Sequence, residues 1–343
     1  MGTGTVASGR MTRRSSRALR AFRAGLAVAL GVHIAAAQAP ALLANDTAVD
    51  DTGHGRAFVE LAAERDTVFV HERARVVVRA GIEHGSRENE LVQLFQRALD
   101  VPVQFQLHWT REHENALTVR LANSAPGPTV ALGEAIVGAR SLAPRTEDGR
   151  TFDVFELAFD VVARTPGDVE LAPALLRFAY ATQFEDDFVR GRVPKDRVDA
   201  YVTSLPLVLH VAALPEAGRP ADFGGAVGRF TARVEANVHA VDLGGEIEIV
   251  LHVAGDGDLA AFAPPRLDRI RGFQLRGVRD ETRADERTLT YSFAVTEHVA
   301  VFPALAFPYF DPTPPGRYAS AQTGLIVLQV RAPEQPADAP RRG

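Results

Sequence analysis

The sequence has 343 residues, 46% of them hydrophobic and 24% charged, which is enough apolar material for more than one packed core. A formal charge of −5, with no basic run in the body of the chain, gives little support to nucleic-acid binding. The lack of cysteine excludes thiolate metal sites, cysteine nucleophiles and disulfides, so stability has to come from burial.

The chain opens with a basic segment. Arg13, Arg14, Arg17, Arg20 and Arg23 precede the apolar stretch 24–37, and two small-x-small sites follow at Ala35-Ala36-Ala37 and Ala37-Gln38-Ala39. This pattern predicts a signal peptide over 1–39, cleaved after Ala37 or Ala39. The stretch contains His33 and falls short of the ~20 residues a membrane-spanning helix needs. The protein is therefore expected in the periplasm or cell envelope. Residues 40–56 are small and polar and read as a flexible lead.

From residue 57 the signals are β. In "ERARVVVRAGI", Ala74, Val76, Val78 and Ala80 alternate with Arg73, Arg75, Val77 and Arg79. In "VPVQFQLHW", Val103, Phe105, Leu107 and Trp109 alternate with Gln104, Gln106 and His108. Period two marks a strand covered on one face. "ALTVRLA", "TFDVFELAFDVV", "VELAPALLRFAYA" and "SLPLVLHV" continue the series, with turn signals at Pro126-Gly127-Pro128, Glu147-Asp148-Gly149 and Pro166-Gly167-Asp168. Such spacing predicts a first immunoglobulin-like sandwich over 57–212. "ENELVQLFQRALD" has helix-forming composition and predicts a helical insertion near 88–100. Trp109, the only tryptophan, is expected to plug the core.

Residues 213–227 break the pattern. Pro215, Pro220 and a glycine cluster stop strand pairing, which predicts a linker. Phe223 is costly in water and is expected to dock on a neighbouring domain. Phe230 begins the next strand. "RFTARVEANV", "EIEIVLHVAG", "LTYSFAV", "VFPALAFPYF" and "GLIVLQV" then alternate again, predicting a second sandwich over 228–331, with Pro303 and Pro308 at an edge or bend. The end, 332–343, is rich in proline and alanine and reads as a disordered tail. The fold class is all-β, two immunoglobulin-like sandwiches in tandem after a leader.

The segment "PLVLHVAALPEAGRPADFGGAVGRF" resembles the linker signature of the BatD family of aerotolerance operons. "VAGDGDLAAFAPPRL", "VFPALAFPYFDP" and "GRYASAQTGLIVLQV" resemble later family segments in the same order. "LFQRALDVPVQFQLHW" is a looser match in the first half. The resemblance implies an exported protein of immunoglobulin-like domains, linked to oxygen tolerance or envelope stress and without enzymatic activity. It also implies membrane-bound von Willebrand factor A proteins as partners, alongside a MoxR-type ATPase. The chain departs from the family in ending soon after its last strand, so no C-terminal membrane anchor is expected.

Chemistry-bearing motifs are sparse. His108 and His113 are five apart and in no H-E-x-x-H pattern, so water-facing strand-edge histidines explain them better than a metal site. The Gly255–Asp258 stretch, "GDGD", lacks the closing acid of a calcium loop and reads as a turn. No nucleophile elbow, Walker loop or dinucleotide fingerprint occurs, so neither an enzyme nor a cofactor is expected. "FEDDF" places Asp186 and Asp187 between two aromatics. Either carboxylate can reach a metal held by a von Willebrand A partner, as binding residues concentrate on loops. The alternative function is an exported β-sandwich that binds polysaccharide or mediates adhesion. Surface aromatics aligned on one sheet face would favour it.

Overall fold

Alternating side chains dictate the architecture. In strand Arg73–Glu83, Ala74, Val76, Val78, Ala80 and Ile82 enter a core, while Arg75 and Arg79 turn away and pair with Asp160 and Glu156. The computed structural model of the protein describes residues 55–112, 116–122, 126–283 and 285–332, with the short strands Leu43–Ala44 and Thr47–Ala48. The expected signal peptide with its cleavage sites, most of the flexible lead and nearly all of the tail lie outside the described residues.

The chain is all-β. The strand Arg150–Ala163 anchors one sheet, pairing antiparallel with Arg73–Glu83 from Phe152 opposite Glu83 to Val162 opposite Arg73. Ala57–Ala63 lies beyond Arg73–Glu83, and Leu117–Leu121, Arg140–Ser141 and Arg145–Glu147 share the other edge. A second sheet runs in the order Ala135–Gly138, Thr129–Leu132, Val103–Gln106, Leu175–Tyr180, Val198–Ser204, Thr47–Ala48. The two sheets bury one core that includes Leu61, Val78, Phe105, Leu157, Phe159, Phe178 and Val202. Each such side chain contributes about 1.5–3 kcal/mol by leaving water.

A separate core follows. Strands Phe230–Ala236, Glu246–Gly255, Glu286–Val295 and Phe273–Thr282 form an antiparallel sheet in that order. Ile249, Leu251, Tyr291, Phe293 and Phe302 are central to the second core, which shares no residue with the first. Pro308 sits in Ala306–Asp311, a strand whose one regular partner is Arg317–Gln322, so its missing N–H breaks no ladder.

The helical expectation over 88–100 is corrected. The helix is His84–Asn89, started by the Glu83 carboxylate accepting from the Ser86 N–H at 2.6 Å. Leu91–Val92 then pairs with Tyr180 and Ala179, and the Gln93 side chain bonds both backbone groups of Leu99. Sheet pairing and these local bonds override the helical propensity. "VELAPALLRFAYA" also divides: Pro173 separates Gly167–Leu171 from Leu175–Tyr180, and the two pieces join different sheets. The strand expected to reach Trp109 stops at Gln106, and Trp109 opens a short helical turn, Trp109–Glu112. Trp109 is nonetheless fully buried, edge-on to Phe159 at 5.3 Å.

The linker is docked. The Phe223 ring meets Tyr318 edge-on at 5.1 Å. Tyr318 Oη donates to the Pro215 carbonyl at 2.7 Å and accepts from Arg219 Nε at 3.0 Å. Phe310 N–H donates to the Ala226 carbonyl, and Gly228 N–H to the Phe310 carbonyl. Gly228 has φ +139°, and a Cβ there would stand 2.6 Å from the Gly257 Cα, so both the conformation and the close approach demand glycine. Contacts also cross from the first half to the second: Arg73 Nη2 donates to the Gly257 carbonyl at 2.6 Å, and Phe69 packs on Phe310.

Candidate functional site

The expected contact residues Asp186 and Asp187 fall on a two-stranded hairpin, Phe184–Asp187 with Gly191–Pro194, that joins no larger sheet. Gly191, at φ +72°, helps close its turn. Asp187 is committed to that turn, because its Oδ1 accepts from the Val189 N–H at 2.8 Å and the Arg190 N–H at 2.7 Å. Asp186 stands exposed, in register with Arg192. The two carboxylates therefore differ in role, a distinction their adjacency in sequence does not reveal.

The base of the hairpin is held firmly. Arg192 lies over the Phe184 ring at 3.6 Å and donates to the Asn89 carbonyl at 2.8 Å. Lys195 and Glu185 pair at 3.0 Å. The Asp196 carboxylate accepts from the Thr182 hydroxyl and the Gln183 N–H, and these bonds hold its pKa below the usual carboxylate value. At the far end the turn carries Phe188 and Val189, 105% and 88% exposed. Leaving two large apolar side chains in water forgoes about 1.5–3 kcal/mol each. The arrangement is a fixed arm with an apolar tip and a carboxylate beside it. Sequence reasoning found the acids and missed the tip. Its signal was present: Phe188-Val189 is an apolar pair inside a charged, glycine-closed turn.

Other sequence motifs resolve structurally. His108 is exposed and precedes the helical turn, and His113 lies outside the described residues. Among the described residues, no three His, Asp or Glu side chains gather as a metal site would require. Asp256 in the Gly255–Asp258 turn accepts from the backbone N–H of Arg229 at 2.6 Å and from its Nε at 2.8 Å, tying the turn to the end of the linker. A Cβ on Gly257 would stand 2.2 Å from the Val227 carbonyl oxygen. Phe223 is placed on Tyr318, as described above.

No family model matches the chain, and no curated protein matches it. Solved structures similar to it include two. One is a protein of unknown function from Porphyromonas gingivalis W83, with 12% identity over 77% of this chain and 98% of that one, at a TM-score of 0.16. The other is the N-terminal periplasmic domain of ScsB from Proteus mirabilis, with 9% identity over 84% of this chain and 99% of that one, at a TM-score of 0.20.

Proposed function

We propose that the chain is a non-enzymatic, exported protein-interaction module of BatD type, acting in the cell envelope through the Phe184–Pro194 hairpin. The observation that carries this is the exposed Phe188–Val189 tip beside Asp186 on an arm pinned at its base. A rigid apolar tip loses little conformational entropy on docking and gains from being covered. Support for the family comes from the linker: Pro215, Arg219, Phe223 and Gly228, which carry the resemblance, all take part in seating it on the second core.

The partner class is a membrane-bound von Willebrand A protein, with Asp186 offering its carboxylate to the metal that such a domain holds. Asp187, occupied by the turn, sets the angle of the tip. The test is co-precipitation of von Willebrand A proteins from envelope fractions with the full-length chain. Phe188→Ser with Val189→Ser is expected to abolish capture, Asp186→Asn to weaken it, and chelation to release the partner. Capture that survives all three interventions rejects the proposal.

A further inference from the structure

Two concavities meet at Gln106 in the first half of the chain, and neither includes the hairpin. The larger, ≈ 510 Å³, has Leu121, Leu132 and Phe159 on its apolar side and Gln104, His108 and Glu134 at its polar rim. The smaller, ≈ 210 Å³, sets Leu175 and Ala200 among Arg177, Asp199 and Tyr201. Gln106 lines both.

Strand register accounts for the gathering. Gln104 lies opposite Arg177, Arg177 lies opposite Tyr201, and Gln106 lies opposite Leu175. The alternation that sends Val103, Phe105, Leu176, Phe178 and Val202 into the core turns these planar polar side chains to the outer face. The amides are ordered in a chain. Gln104 Nε2 donates to the Gly133 carbonyl at 2.8 Å, and Gln106 Nε2 donates to Gln104 Oε1 at 3.3 Å. That leaves the Gln106 carbonyl and one N–H for another partner, already oriented. Arg177 and Asp199 stand 3.8 Å apart with both side chains about half exposed, and the Tyr201 ring is 43% exposed beside them.

A sugar ring presents an apolar C–H face and a rim of hydroxyls that both donate and accept. Apolar walls bordered by amide, carboxylate and guanidinium groups complement it on both counts. Asp199 pairs with Arg177 at 3.8 Å and with Arg197 at 3.1 Å, and Glu134 adds a second carboxylate, so two arginines stand against two acids and the groove carries no positive excess that would select an anion. Two adjoining pockets that share one side chain suit linked rings. We infer that this groove binds a neutral oligosaccharide, with Gln106 hydrogen-bonding hydroxyls at the junction of two successive units. The inference is independent of the hairpin and its partner.

The test is calorimetric titration of the full-length chain with chitotetraose, cellotetraose and maltotetraose at millimolar concentration. Saturable binding of at least one is expected. Gln106→Ala and Tyr201→Ala are each expected to weaken it about tenfold, the loss of roughly one hydrogen bond to a positioned group or of one ring contact. Phe188→Ser, on the hairpin, is expected to leave it unchanged. Circular dichroism and thermal melting establish that each variant is folded before titration. If none of the three sugars binds the folded wild-type chain, the inference fails. It fails equally if both groove variants bind as the wild type does.

Discussion

Phe69 and Phe310 meet edge to face, with ring centroids 4.7 Å apart and planes at 69°. Phe69 ends a strand packed on the first core, and Phe310 is fully buried in the second half. A Cβ on Gly316 would crowd both rings, at 2.8 Å from Phe310 and 3.1 Å from Phe69, so glycine leaves room for the pair. Arg65 reinforces the junction by pairing with Glu72 and donating to the Pro312 carbonyl at 3.4 Å. The two halves are joined by side-chain contacts as well as by the linker.

Phe69→Ala should therefore uncouple the halves. The lost aromatic pairing is worth about 0.5–1.5 kcal/mol beyond the area it buries. Calorimetry should show the transition of the wild-type chain broaden or split in the variant, with the first core melting separately. An unchanged single transition would mean that the linker, with the Arg73 and Arg65 contacts to Gly257 and Pro312, couples the two without this ring pair.

Arg287 is the buried cation of the second core. Its guanidinium donates to Asp280 through Nε and Nη2, at 2.9 and 2.6 Å, and through Nη1 to the carbonyls of Leu259 and Phe262, at 2.9 and 2.7 Å. It also lies over the Phe262 ring at 4.5 Å. These bonds fix the loop between Glu246–Gly255 and Phe273–Thr282, and they hold the Asp280 pKa below its usual value. Arg287→Ala should destabilise the protein by about 2–4 kcal/mol, since it leaves the Leu259 and Phe262 carbonyls without their donor, while the partly exposed Asp280 carboxylate regains water. Arg287→Lys should recover part of this at most, because one ammonium cannot serve a bidentate carboxylate and two carbonyls together. Urea unfolding midpoints of the two variants give the comparison.

The linker should resist proteolysis. Arg229 is held to Asp256 through its backbone and side chain, and its neighbour Gly228 is bonded to Phe310. Cleavage needs locally released backbone, so trypsin at Arg229 should be slow in the wild type. Gly257→Ala forces a Cβ against the Val227 carbonyl oxygen and should cost about 1–3 kcal/mol while exposing the site. Cleavage at Arg229 that is as fast in the wild type as in the variant would contradict a docked linker.

Many strands and both cores were legible from period two, whereas Thr129–Leu132, Val198–Ser204 and Phe273–Thr282 were not picked out by it. The inward positions of Arg73–Glu83 and the burial of Trp109 followed from local pattern and residue size. The docking of Phe223 was legible too, because an isolated phenylalanine in a proline-glycine segment needs cover. The failures were non-local. Residues 88–100 carry helical composition, yet Leu91 and Val92 are claimed by Tyr180 and Ala179, far along the chain. The grouping of Gln104, Arg177 and Tyr201 depends on the register of three strands, which no single segment encodes. The unequal roles of Asp186 and Asp187 turn on which carboxylate closes the Phe188–Arg190 turn, and sequence spacing does not decide that.

His210 supplies a pH-dependent contact at the edge of the first half. Its Nδ1 lies 2.8 Å from Asp168 Oδ1, across the pairing of Gly167–Leu171 with Leu207–Ala212. The hydrogen bond to Asp168, then the charge of that carboxylate and of Asp66, raise the histidine pKa above 6.5 in the folded protein. The folded state therefore binds the proton more tightly than the unfolded chain. This contact contributes its full stability below the unfolded pKa of about 6.5 and loses it as pH rises through the higher folded value. The pair is exposed, so the effect is small and should shrink further with added salt. His210→Gln should flatten the stability profile over that window, leaving the variant closest to wild type on the alkaline side. Urea midpoints measured from mildly acidic to mildly alkaline pH provide the check, and a wild-type profile that does not weaken relative to the variant as pH rises would remove the contact from the list of stabilising pairs.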